Sequence, residues 1–131
     1  MVAEEIAREE RTMLGSIKIA DEVVKTIAGL SAIEVQGMAG MSGGLVGGIV
    51  EKLGRKNLTK GVKVEVGEKE AAIDLYVIMN SGVRIPDVAG EIQERVKNAV
   101  EHTTGLAVIE VNINVQGVAF VTEEEEEHRV K

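Results

Sequence analysis

The chain has 131 residues, which fits one domain, and 44% of them are apolar although Phe120 and Tyr76 are the sole aromatics. It has no Cys, which excludes disulfides, thiolate catalysis and sulfur-ligated zinc. A formal net charge of −7 disfavours generic nucleic-acid binding, because neutralising phosphates takes a basic surface.

Taken in chain order, Met1 to Arg11 is rich in Glu and Arg, with too few apolar residues to fix it on a core, so residues 1–14 are expected to form a flexible arm. Ile17-Lys18-Ile19 alternates as a short strand. Asp21 then opens a helix, its carboxylate matched to the partly positive N–H groups of a first turn. Val23, Val24, Ile27 and Leu30 make the apolar stripe of that helix, Gly29 lies near its expected end, and Ile33 and Val35 start a strand. Gly37 to Gly54 holds seven of the fifteen glycines.

Val62, Val64 and Val66 alternate with Lys63 and Glu65, and Ile73, Leu75, Val77 and Met79 continue the pattern after a loop at Gly67 to Glu70, so this pair is read as a hairpin. Pro86 and Asp87 begin a second helix, with Val88, Ile92, Val96, Ala99 and Val100 on its buried face and Gly105 at its end. Ile109 to Val115 alternates strictly and reads as a half-buried strand. The uninterrupted Glu123 to Glu127 run opens an acidic tail, 121–131, expected to be disordered.

Two stretches echo one another. Ile17-Lys18-Ile19 and Asp21 match Val83-Arg84-Ile85 and Asp87, and Gly29 to Val35 matches Gly105 to Val111. The expected fold is therefore α+β: one domain over residues 15–120, made of two strand-helix-strand units with an inserted β-hairpin, forming a small mixed sheet packed against helices.

The glycine-rich segment fails the tests for a phosphate loop. Gly47-Gly48 is followed by Ile49-Val50, not by Lys and Ser or Thr, and the G-x-G-x-x-G spacing is missing. Gly44-Leu45-Val46-Gly47 matches the four-residue GxxG loop of KH modules, which supports an alternative reading as an RNA-binding module using that loop and the cations that follow. Ser42 to Leu53 also suits a short amphipathic helix with Ser42 as N-cap and Gly54 as stop. On it Gly40, Gly44 and Gly48 recur every four residues as a smooth strip for close packing, the other possibility being a flexible loop. Lys52, Arg55, Lys56, Lys60 and Lys63 follow with no acid among them, either a solvated face or an anionic docking site. Gly40, Gly44, Gly48, Arg55, Lys56 and Lys60 are the candidate partner-binding residues.

No catalytic, metal or cofactor site is expected. His102 lies at a helix end and His128 in the tail, and neither belongs to a metal-spaced or triad-like group. No leader pattern is present and no apolar run reaches the roughly 18 residues a membrane span needs, so the expected location is the cytoplasm.

The chain resembles the alkaline shock protein family, known as envelope stress response proteins, from about Gly15 to Phe120. The resemblance is carried by Ile19 to Val24, Val35 to Met41, Lys60 to Val66, Ile85 to Val88 and Val111 to Gly117, in this order. Ser81 departs from the aromatic often found before Gly82. The resemblance implies a cytoplasmic protein with no established enzymatic activity that supports the cell envelope and is sometimes held at the membrane through a small anchor protein; self-association and protein partners are expected through the Gly40 to Lys60 region. The glycine-rich segment followed by Gly54-Arg55-Lys56-Asn57 is similar to a subgroup linked to acetyl-CoA carboxylase and fatty-acid synthesis, which makes a carboxylase subunit an expected partner.

Overall fold

The structure is a computed structural model that describes residues 14–42, 45–46, 49–50 and 59–120. The expected arm and acidic tail lie, Leu14 apart, outside the described residues. In chain order the elements are α1 (Asp21–Ile33), β1 (Met38–Met41), β2 (Leu45–Val46), β3 (Ile49–Val50), β4 (Val62–Val66), β5 (Glu70–Asn80), α2 (Ile85–Thr104) and β6 (Ala107–Ala119).

The 11-residue strand β5 is the centre of a mixed sheet. On one edge it pairs with β6 in parallel along its whole length, from Glu70 opposite Ala107 to Asn80 opposite Ala119. The other edge is shared end to end by two shorter antiparallel strands, β4 beside Ala71 to Leu75 and β1 beside Val77 to Met79. Backbone bonds fix which residues serve which edge. The even residues Tyr76 and Asn80 donate to the carbonyls of Gly61 and Gly37, on the β4 and β1 side. The odd residue Lys69, just before the strand, accepts from Ala107 on the β6 side. Peptide groups of a strand alternate in direction, so the odd residues of β5 serve β6 throughout.

Side chains sort by the same period of two. Ala71, Ile73, Leu75, Val77 and Met79 face the helices and are all but inaccessible to solvent. Val62 and Val64 join them from β4, and Val108, Val111 and Ile113 from β6. The helices close the core with Val24, Ala28 and Ala32 from α1 and Ile92, Val96 and Val100 from α2. Each fully buried aliphatic side chain of this kind contributes about 1.5–3 kcal/mol. No aromatic enters this core.

Helix α2 forms as its sequence dictates: Pro86 sits in the first turn, and Gly105 takes the left-handed conformation (φ 76°) with its N–H on the Glu101 carbonyl at 2.9 Å. Helix α1 starts at Asp21 as expected but runs past Gly29 to Ile33. Its core face differs from the expected stripe. Val24 is buried with the small residues Ala28, Ser31 and Ala32, whereas Val23 and Leu30 are 45% and 47% exposed. Ser31 satisfies its hydroxyl inside the helix, on the carbonyls of Ile27 and Ala28.

The α+β plan and the mixed sheet stand, but the two units are built differently from the expectation. Residues 15–20 and 81–84 are not strands, and β1 begins at Met38, not at Ile33. The second unit is β5-α2-β6, so the hairpin strand itself supplies the leading strand. The first unit is a helix followed by β1 alone. Alternation over three residues, as in Ile17-Lys18-Ile19, is too short to separate a strand from an extended lead into a helix.

Candidate contact surface

The helix expected to carry the glycine strip is absent from the described residues. Gly40 lies in β1 opposite Ile78 and is buried. The helix expected from Ser42 to Leu53 is replaced, where the backbone is described, by extended chain: Leu45 pairs with Val50 and Val46 with Ile49 in an antiparallel ribbon. A four-residue spacing therefore does not set Gly40, Gly44 and Gly48 on one helical face. Gly-Gly between two such strands is a favoured hairpin-loop sequence, a signal available from the start. Gly44, Gly48, Arg55 and Lys56 lie outside the described residues. Lys60 is exposed, one residue before the buried Gly61.

The sheet face turned away from the helices is polar except at Ile78, which is buried. Lys63 sits over the Tyr76 ring at 5.4 Å from its centre, Asn112 donates to Asp74 at 2.8 Å, and Asn114 donates to the Leu75 carbonyl at 3.3 Å. Glu65 and Glu110 share this face by register. Charges of both signs here are paired or solvated, with no acid and base converging on a common point. His102 is exposed in the last turn of α2, where its dipole role needs no ligand. Among the described residues no three His, Asp or Glu side chains gather as a metal site.

A crevice of about 900 Å³ lies between residues 15–21, the Gly67 to Lys69 turn and the end of α2. Lys18, Asp21, Glu68 and Lys69 line it, again with mixed sign. No described helix is long and apolar enough to cross a membrane.

Apart from Leu14, Ile17 and Ile85, the large apolar residues exposed among those described fall at two places. On α1, Val23 and Leu30 flank the half-buried Ile27 at helical spacing, and Thr26 to Ile33 contains no charged residue. A helix apolar on more than its core face is usually covered on both. On β6 and just after it, Ile109, Val115, Val118 and Phe120 are 61%, 36%, 42% and 77% exposed. The α1 surface was legible in the sequence as that uncharged run, but a stripe assignment that sends the largest side chains inward hides it.

Fold and surface together define a small α+β module with apolar residues exposed on α1 and β6. Residues 9–120 match the alkaline shock protein 23 family, described as having a cell envelope-related function, and the chain belongs to that family. It is 41% identical to YqhY of Bacillus subtilis over 117 residues, 89% of this chain and 87% of that protein. It is 40% identical to YloU of the same organism, over 84% of this chain and 93% of that protein. A stress response regulator gls24 homolog of Streptococcus pyogenes is 34% identical over 77% of this chain and 57% of its own length. Of these three names, only the last describes a role, that of a stress response regulator. The solved structure MamM-CTD H285A overlays on 75% of the chain with a TM-score of 0.47 and 14% identity, too little to carry an argument.

Proposed function

We propose that this protein is a non-enzymatic envelope stress regulator that acts through protein contacts, with the outer face of α1 as a principal docking surface. The observation that carries this reading is the exposed Val23 and Leu30 on a helix whose last two turns hold no charge. An uncharged apolar strip on an otherwise charged chain is the signature of a surface meant to be covered. The family description and the relatives' names support a stress role at the envelope. The basic run containing Arg55, Lys56 and Lys60 would add a salt-sensitive attraction for an acidic partner.

Leu30→Glu tests the reading. It lies on the surface, so it costs less than about 1 kcal/mol of stability, while weakening capture of a specific partner about tenfold or more. The measurement is quantitative affinity purification from soluble and membrane fractions of stressed cells, probed for an envelope anchor protein and for acetyl-CoA carboxylase subunits. Recovery by the wild-type chain and loss by Leu30→Glu are expected. No specific partner in either fraction overturns the contact role. Equal recovery by both chains removes α1 from it. RNA binding is the competing outcome, and salt-dependent binding of single-stranded RNA at micromolar protein would replace this reading.

A further inference from the structure

We propose that the outer edge of β6 is a homodimer seam, to which a second copy of this chain adds its own β6 antiparallel, with the two-fold axis at Asn114. The inference rests on the contact reading above and names one partner of that contact: the protein itself.

The first half of β6 is guarded by α2. The Val108 N–H donates to the Glu101 carboxylate at 2.9 Å, and the Val111 carbonyl accepts from the Gln93 side chain at 3.0 Å. Both groups therefore point away from β5. From Val111 to Val115 the pairing with β5 runs without a register shift. Peptide directions alternate along such a stretch, so Ile113 and Val115 turn their N–H and C=O the same way as Val111, outward. Among the described residues, the side-chain bonds from α2 to this strand are those at Val108 and Val111. The guard stops where the open backbone begins.

The strand also lacks the devices that keep an edge single. It has no Lys, Arg or Pro, and Val111 to Phe120 carries no charge at all. A chain of net charge −7 repels its own copies, and an uncharged seam is where two can meet. A charged peptide would find nothing on this edge to pair with. What matches it is a strand with amides on one face and β-branched residues on the other, which is β6 itself.

The guard also sets the register. Directly opposed residues share a face, so the sum of their numbers is even, and pairing must avoid the occupied Val111 carbonyl. Centring on Asn114 places Ile113 opposite Val115 of the second copy and Val115 opposite its Ile113. Each pair exchanges two backbone hydrogen bonds, making four, and sets β-branched side chains side by side on the helix face. The same register carries Val118 and Phe120 toward Ile109 of the second copy. All four exposed apolar residues of this region then fall in the seam.

Sedimentation of the full chain over a range of concentrations tests the proposal, with unfolding curves to show that each variant is folded. Wild-type chain is expected to dimerise. Asn114→Asp and Asn114→Lys each oppose like charges across the axis and weaken the dimer about tenfold or more, and their equimolar mixture restores it. Val115→Pro removes an outward N–H that β5 does not use, so it spares the fold and also dissociates the dimer. A monomeric wild-type chain at high micromolar concentration overturns the seam. So does a dimer that survives both Asn114→Asp and Val115→Pro, or one dissolved only by Leu30→Glu. A heterologous partner captured by a strictly monomeric chain would leave the contact role standing and remove the seam alone.

Discussion

Gly61 sits where the chain enters β4, close against the central strand. A Cβ there would lie 2.7 Å from the Tyr76 carbonyl oxygen and 3.1 and 3.2 Å from atoms of the buried Met41 side chain. The nearest neighbour is backbone and cannot swing aside, so Gly61→Ala is expected to cost about 1–3 kcal/mol, read as a lower urea midpoint with unchanged slope. Gly90 is the contrast. A Cβ there meets nothing within 4 Å, and the residue lies in α2, so Gly90→Ala is expected to raise stability by up to about 1 kcal/mol. Neither outcome was readable from the chain alone. Both glycines look alike there, and what separates them is a neighbour fifteen residues further on for one and open solvent for the other.

At the scale of elements, α2 does more than fill the core: its Gln93 and Glu101 side chains close backbone groups of β6. Glu101→Ala leaves the Val108 N–H without that acceptor in a half-buried place, at a cost of about 1–3 kcal/mol, and amide exchange at Val108 should quicken with it. Where the sequence repeats a clear period over many residues, the elements were legible. The valines of β4, the alternation of β5, and Pro86 and Gly105 at the ends of α2 stand as read, whereas in β6 a register shift leaves Ile109 61% exposed beside the buried Val108 and Val111. The errors lie where a local pattern had two solutions. In α1 the big residues Val23 and Leu30 suggested the core face, but the residues the helix buries are Val24, Ala28, Gly29, Ser31 and Ala32. In Ser42 to Leu53 the apolar pairs at Leu45-Val46 and Ile49-Val50 fit a helical period and a short hairpin equally well, and the observed pairing is the hairpin's. Gly40 was judged by spacing alone, whereas it lies buried in β1, opposite Ile78 of β5.

For the whole molecule, association and stability become one quantity if the β6 seam forms. The dimer then holds the native state by mass action, so the apparent Tm of the wild-type chain should rise with protein concentration more steeply than that of Asn114→Asp, a comparison that scanning calorimetry makes directly. A similar economy shows in the sheet itself, since one strand, β5, is the hydrogen-bonding partner of all its neighbours. That arrangement fixes an order of assembly. The β4–β5 hairpin closes over a short turn and can form early, whereas β6 reaches β5 only after the twenty residues of α2 have been placed. Until then the long apolar strand at the centre of the sheet has one bare edge. β6 is therefore expected to dock late in folding, and until it does a newly made chain is exposed to mispairing with its neighbours.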